Sequence, residues 1–380
     1  MQVLQIVEKI KPNTIPWFFN LISSAKNTNH YITSFFGMDE TSYKERFNII
    51  KHPYQQNLEN NSLITRINNR LISKRRSHNF PRFVKNKLPE VQLVHGHFAH
   101  VGYECIPIKQ KNNLPLVVSF YGYDYEAIPF QSPEWNNKYK ELFAIADLVI
   151  AEGKAGAAKL LQMGCKEQKI RVLHLGVDVS TIPFHSRVKK QQELKLIQIA
   201  AWREKKGQAY TVDAFIQAFE TCPNMTLTLV GEGNDEVINA QKEKLKRVGL
   251  LSKVTFVPRM EYSQLYEYVK DFQVFIHPSC YASNMDCEGG APIVLLDVQA
   301  TGMPVISTTH CDIPDEVISG KTGLLTPEKD VKGLADSIKF FYDMDQNKYN
   351  EFAVAGREHV KSEYNTSATG TNLEKIYASI

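Results

Sequence analysis

Short runs of β-branched and aliphatic residues recur along this chain, separated by stretches long enough for helices. They fall at 3–7, 31–35, 91–95, 116–120, 147–151 and 171–175, then again at 194–200, 226–230, 254–257, 273–277, 304–308 and 323–325. Strands that alternate with helices build a parallel sheet covered on both faces. The layout is stated once, interrupted by a polar stretch at 178–193, and stated again. This predicts an α/β chain of two doubly wound, Rossmann-like domains facing an interdomain cleft, which suits a length of 380 residues. The expected limits are 1–180 for the first domain, 181–361 for the second, and a terminal helix over 362–380. Ligands of such sheets bind beyond the carboxyl ends of the strands, so the residues that follow each strand are the ones to read for chemistry.

Several classes of function are disfavoured before any motif is considered. No apolar run approaches the ~20 residues of a membrane-spanning helix. The opening Met1–Glu8 lacks the basic start and long apolar stretch of a signal peptide and reads as a buried strand. The six cysteines are scattered singly, which fits a reducing cytosol rather than a disulfide framework. Cys280, Cys287 and Cys311 lie near His277 and His310 in sequence, but their gaps match no common zinc spacing. Structural cysteine is the expectation and no metal is assigned. Charge is uneven: residues 1–180 carry 23 Lys/Arg against 15 Asp/Glu, and residues 181–380 carry 22 against 26, so +8 and −4 sum to +4. Eight of the cations sit between Arg66 and Lys87 with no acid among them. Interleaved with Leu63, Ile64, Ile67, Leu71 and Ile72, they read as a basic amphipathic surface, suited to an anionic leaflet or else simply solvated. No nucleic-acid motif accompanies them.

The chemistry concentrates between 199 and 325. Arg203 and Lys206 follow the strand at 194–200, ahead of Gly207. Val230-Gly231-Glu232-Gly233 ends the next strand. Asp286-Cys287-Glu288-Gly289-Gly290-Ala291-Pro292 leads into a helix carrying Asp297, which Gly302 closes before Pro304. Glycines let backbone approach a ligand closely, and a helix start offers unpaired N–H groups to phosphate. Two fixed cations would stabilise the charge that develops on a departing diphosphate. The group as a whole suits a nucleotide diphosphate bearing a neutral, hydroxyl-rich moiety. Read singly, Arg203-Glu204-Lys205-Lys206 would pass for a solvated turn and Asp297 for an acid on a solvated helix face. Gly231-Glu232-Gly233 is no dinucleotide fingerprint, because Glu236 stands where the third glycine belongs. A nicotinamide oxidoreductase is therefore a distant reading.

In order and spacing these motifs resemble the C-terminal half of the retaining family-4 glycosyltransferases of GT-B fold, the glycosyl transferases of group 1. The resemblance implies that Arg203 and Lys206 bind the donor diphosphate, with Gly231 and Gly233 turning near the nucleotide. It places Glu288, Gly289, Gly290, Ala291 and Pro292 at the sugar and Asp297 at the ribose. The chain departs from the family's E-x7-E pattern: Glu288 and Asp297 are separated by eight residues, and the second acid is Asp. The offset from Pro292 to Asp297 is the usual five, so the extra residue lies in the glycine loop.

In the first domain, His95-Gly96-His97-Phe98 resembles the family's His-x-His-Phe loop, and Tyr121-Gly122-Tyr123-Asp124 stands where relatives have His-Gly-x-Asp. The resemblance implies that His97, Tyr121 and Asp124 line the sugar or acceptor side. Tyrosine, with a pKa near ~10, is a poor base at neutral pH, which a same-face displacement with retention tolerates. The implied enzyme moves a hexose-type sugar from a nucleotide sugar to a hydroxyl of a glycan or lipid-linked glycan in polysaccharide or surface-glycan biosynthesis. It would need no cofactor and no catalytic metal. Asp343-Met344-Asp345, the one Asp-x-Asp, is expected in a helix far from these loops. The implied location is cytoplasmic, with peripheral contact at the inner membrane face, and the terminal helix is expected to cross back to the first domain. The alternative is a catalytically silent nucleotide-sugar-binding or scaffold protein, motivated by Tyr121, Asp297 and the longer loop.

Overall fold

The computed structural model describes residues 1–10, 16–37, 47–56 and 62–380, with the side chains of Pro16, Leu63, Ile64 and Arg66 outside the described set. The chain divides into two compact units, Met1–Leu175 with Thr366–Ile380, and Gly176–Asn365.

The first unit is built on seven parallel strands: β1 (Gln2–Val7), β2 (Asn29–Ser34), β3 (Asn48–Ile49), β4 (Leu93–His97), β5 (Leu116–Phe120), β6 (Leu148–Ala151) and β7 (Ile170–Val172). Their order is β3-β2-β1-β4-β5-β6-β7, so the winding reverses between β1 and β4. Ligands gather at such a reversal, and His97 closes β4. Every residue of β4 and of β5 is buried, as expected of strands covered on both faces. The two-residue β3 carries no apolar run and has no sequence signature. The helix Thr366–Ala378 belongs to this unit: its Leu373, Ile376 and Tyr377 pack with Val3, Leu93, Val117 and Leu148.

The second unit has six parallel strands: β8 (Leu194–Ile199), β9 (Met225–Val230), β10 (Val254–Val257), β11 (Val274–His277), β12 (Val305–Thr308) and β13 (Gly323–Thr326), in the order β10-β9-β8-β11-β12-β13. Successive side chains leave a strand on opposite faces, and the core obeys that rule. Leu196 and Ile276 pack with Val212 and Phe215 of the helix Gln208–Phe219 and with Leu334 and Ile338 of the helix Val331–Asp343. Their neighbours Ile197 and Phe275 pack with Leu295 and Val298 of the helix Ile293–Ala300. Here the reversal lies between β8 and β11, beside the turns that carry Arg203, Lys206 and Glu288.

Three expectations need correction. The polar stretch at 178–193, expected to separate the two halves, belongs to the second unit. Arg187 is buried and donates to the Thr301 carbonyl at 2.7 Å and to the Thr301 hydroxyl at 2.8 Å. Lys189 is buried too, donating to the Tyr342 carbonyl at 3.1 Å. These two side chains fasten backbone, whereas Asp178, Lys190 and Glu193 of the same stretch stay exposed. The Asp-x-Asp does not lie within a helix: Asp343 ends one, and Asp345 caps the start of the next, Gln346–Glu363, by accepting the Lys348 amide at 2.8 Å. The cations of the helix Leu63–Lys87 are not all surface charges. Arg76 is buried, paired with Glu104 at 2.8 Å, and lies 4.3 Å from the Phe35 ring centre. Arg70, Lys74, Arg75, Arg82, Lys85 and Lys87 stay exposed, as do Ile67 and Leu71.

Candidate donor site of the second unit

The turn after β8 is fixed by side chains. Gln198 donates to the Lys206 carbonyl at 2.7 Å, and Gln208 donates to the Ala201 carbonyl at 2.9 Å. Gly207 adopts φ 69°, and a Cβ there would stand 2.0 Å from the Pro278 carbonyl oxygen. A side chain at 207 is therefore excluded both by conformation and by space. Ahead of Gly207, Trp202 bridges to Gly233 and its amide donates to the Glu232 carbonyl at 2.7 Å. The turns after β8 and β9 are thereby joined. A Cβ on Gly233 would meet the Trp202 Cβ at 2.2 Å, so this glycine serves the junction of the turns as well as any ligand.

Beside the junction opens a depression of about 630 Å³, lined by Ala201, Trp202, Arg203, Gly231, Arg259 and Met260 among others. That volume is in the range of small-molecule sites. Arg259 and Met260 carry no sequence motif; only the register of β10 beside β9 brings them here. Arg203 is exposed, and among the described residues no hydrogen bond or ion pair engages its guanidinium.

Lys206 differs. Its ammonium lies 2.6 Å from Glu288 Oε2, with side-chain exposures of 19% and 4%. Ser279 donates to the other carboxylate oxygen at 2.9 Å. Burial pushes the Glu288 pKa up, but Lys206, His277 and Lys205 outweigh it and hold the carboxyl well below its usual range. Lys205 secures the same loop, 3.0 Å from Asp286 and donating to the Cys287 carbonyl at 2.7 Å. The longer loop thus keeps Glu288 against Lys206, and Gly289 (φ 91°) turns the backbone toward Gly290, Ala291 and Pro292, the last capping the helix Ile293–Ala300.

Asp297, in that helix, is 1% exposed. Tyr262 and Tyr266 donate to its Oδ1 at 2.8 and 2.9 Å. Burial raises its pKa to about 6 against the pull of the two phenols. The solvated helix face is thereby ruled out. No sequence signal links the two tyrosines to Asp297, because a full strand and loop lie between them.

The three residues expected in the first unit have distinct positions. His97 is fully buried and burial holds its pKa well below the usual value, so it is neutral. Its Nε2 lies 2.8 Å from Gln5 Oε1, which can only accept, so Nε2 carries the proton and Nδ1 accepts from the Tyr121 hydroxyl at 2.6 Å. Neither nitrogen is left to face a sugar; His97 positions Tyr121. Burial also drives the Tyr121 pKa well above its usual value, in keeping with a hydrogen-bonding rather than a basic role. Asp124 is fully buried as well, and its oxygens accept the Ala99 and Tyr121 amides, each at 2.8 Å. It caps the helix Ala99–Asn112 and fastens the Tyr121 loop rather than presenting itself to an acceptor. Burial raises its pKa to about 7.

Known proteins resemble this chain in sequence and in fold. A sequence profile for "Glycosyl transferases group 1" matches residues 181–359, and one for "Glycosyltransferase Family 4" matches residues 29–181. WcaL of Salmonella typhimurium, a glycosyltransferase assigned to colanic acid biosynthesis, is 28% identical over 290 residues, which is 75% of this chain and 70% of WcaL. The amylovoran biosynthesis glycosyltransferase AmsK of Erwinia amylovora is 27% identical over 244 residues, 64% of this chain and 59% of AmsK. Among solved structures, HepE of Anabaena in complex with UDP superposes with a TM-score of 0.78 over 100% of both chains at 16% identity. The last likeness concerns the fold.

Proposed function

We propose, from the premise that this chain belongs to the family-4 glycosyltransferases of GT-B fold, that it moves a hexose-type sugar from a nucleotide sugar to a glycan hydroxyl with retention. The observation that carries this reading is the contrast between the two cations of one turn. Lys206 is neutralised by Glu288, whereas Arg203 stands exposed and unengaged at the rim of the depression. An exposed, unpaired cation beside a nucleotide-sized cavity suits a diphosphate leaving group. The base would occupy the depression next to Arg259 and Met260, the ribose would meet Asp297, and the sugar would lie along Glu288, Gly289 and Gly290. Same-face displacement, with the departing phosphate taking the acceptor proton, asks for no protein base and no catalytic metal. His97 and Asp124 would hold Tyr121 in place to bind a sugar hydroxyl. Assembly of a surface or secreted polysaccharide is the role that WcaL and AmsK suggest by name.

Thermal unfolding against UDP, GDP, ADP and their sugar conjugates tests the reading. A nucleotide at ~100 times its dissociation constant adds ~2.7 kcal/mol of stability. Stabilisation by one nucleotide, weakened in Arg203→Ala, is expected; no response to any of them would overturn it.

The ribose assignment predicts a pH dependence. With the Asp297 pKa raised to about 6, nucleotide affinity should be level above pH ~7 and decline as the carboxylate is protonated, by up to ~10-fold per unit. Tyr262→Phe removes a donor that lowers this pKa, so the declining limb should move to higher pH. Stability has the opposite sign. The raised pKa favours the folded state below the unfolded value near ~4 and loses that contribution as pH rises through the folded one. Calorimetric titration across the range checks the affinity, and parallel urea melts check the stability.

Among the described residues no helix is long and apolar enough to cross a membrane. Ile67 and Leu71, 54% and 48% exposed, stand among the exposed cations of the helix Leu63–Lys87 and suit peripheral contact with an anionic leaflet. At about 1 kcal/mol per basic residue near the surface, Lys74→Glu/Arg75→Glu should reduce co-flotation with phosphatidylserine vesicles by at least ~10-fold. Arg76, paired internally, is not part of this surface.

A further inference from the structure

The loop that carries Glu288 is held on its other side by sulfur and imidazole. Cys287, His310 and Cys311 each bring one ligand atom to a common place, all within 4.8 Å of one another. Cys287 and His310 are buried, and Cys311 is half-buried. His310 Nε2 is 3.3 Å from Cys311 Sγ. Around a tetrahedral zinc, with Zn–S of ~2.3 Å and Zn–N of ~2.0 Å, neighbouring ligand atoms stand ~3.3–3.8 Å apart. The cluster needs to close by only about 1 Å at its widest.

The imidazole is already oriented for a metal. His310 Nδ1 lies 2.7 Å from Glu328 Oε1. A carboxylate accepts, so Nδ1 carries the proton and Nε2 holds the lone pair turned toward the sulfurs. A carboxylate behind a histidine is the usual outer partner of a metal-bound imidazole. Cys311 itself sits at φ 47°, a left-handed conformation unusual for cysteine. Packing of two thiols alone accounts for neither feature. The spacing 287-310-311 is no zinc motif, because β12 intervenes between the first ligand and the other two.

We propose that Cys287, His310 and Cys311 form a site for a thiophilic divalent cation, with zinc the natural occupant, and that filling it loosens the Glu288 loop. Two thiol protons leave to solvent, and two thiolates with one neutral imidazole balance the ion's two charges. The coupling follows from a single lone pair. His310 Nε2 now accepts the Glu288 amide at 3.2 Å, and a metal would take that electron pair. The site would act as an inhibitory switch that releases the Glu288 amide beside the sugar subsite, rather than as a catalytic centre. Metal binding stands independently of the donor assignment; only its effect on the loop rests on that reading.

Cobalt(II) is the probe. Titration of the reduced, chelator-treated full chain should give thiolate-to-cobalt charge-transfer absorption that saturates at one equivalent, with about two protons released per ion, and zinc should displace the cobalt. Cys311→Ser and Cys287→Ser should each abolish the signal, whereas Cys222→Ser, at a buried thiol outside the cluster, should keep it. Absence of the band, or its persistence in both cluster variants, overturns the site. So does a Cys287–Cys311 disulfide forming in preference when air and zinc are offered together. Should cobalt bind while affinity for the stabilising nucleotide sugar stays unchanged, the switch fails and the metal site survives. Failure of every nucleotide sugar to bind, with the cobalt band present, would instead locate the error in the donor reading.

Discussion

Arg203→Ala is expected to reduce turnover by ~10²–10³ while leaving the melting temperature within a degree or two of wild type. The first figure is the cost of removing one preorganised group that stabilises developing charge. The second follows from the structure: the side chain is exposed, and no described residue is paired with its guanidinium. Surface substitutions of that kind change stability by less than ~0.5 kcal/mol. Steady-state kinetics and a thermal melt of the same preparation check both halves. Arg203→Lys should recover only part of the rate, since an ammonium cannot offer a planar pair of donors to phosphate oxygens.

Lys206 should behave differently although it lies three residues away. Lys206→Met strands the Glu288 carboxylate, 4% exposed, with its closest cation gone. Breaking a buried pair from one side costs ~3–5 kcal/mol, because a buried charge loses its compensation. Ser279 and Lys205 soften that cost, which places the expectation at ~3 kcal/mol, measured by urea unfolding. Glu288→Gln alone should be milder, since the amide still accepts from Ser279 and the Lys206 ammonium retains some access to water. The double variant Lys206→Met/Glu288→Gln should regain most of the stability lost in Lys206→Met and none of the activity. A double variant as unstable as Lys206→Met would show that the ion pair is not what Lys206 contributes. Arg203 is therefore the cleaner probe of diphosphate binding, and loss of ligand response in a Lys206 variant alone would not locate the diphosphate.

Much of this arrangement was legible in the order of residues, for identifiable reasons. The central strands β5, β6, β11 and β12 are buried along their whole length, so they appear as short, largely apolar runs, and the carboxyl ends of the strands name the loops to read. Gly207 and Gly289 are legible because positive φ demands glycine. What stayed hidden depends on contacts across the sheet. Nothing near Asp297 in sequence announces Tyr262 and Tyr266, and nothing in 178–193 announces that Arg187 and Lys189 are spent on buried carbonyls. Arg76 looks like its neighbours until Glu104, from the following helix, is placed against it. The resemblance puts His97 and Asp124 at the sugar or acceptor side, at the carboxyl end of β4 and beyond that of β5. Only their hydrogen bonds reveal that both face inward and that Tyr121 alone remains partly exposed. The convergence of Cys287, His310 and Cys311 is hidden in the same way, because β12 separates the first of them from the other two.

In the proposed reaction Arg203 would stabilise the departing diphosphate of a nucleotide sugar bound to the second unit. The most direct test follows UDP-, GDP- and ADP-hexoses by phosphorus NMR with wild type and Arg203→Ala, in the presence of a lipid-linked glycan pool. Wild type should convert one donor to its nucleoside diphosphate, at a rate lowered ~10²–10³ in the variant. A donor that binds and stays intact, or one consumed equally by both proteins, would contradict it.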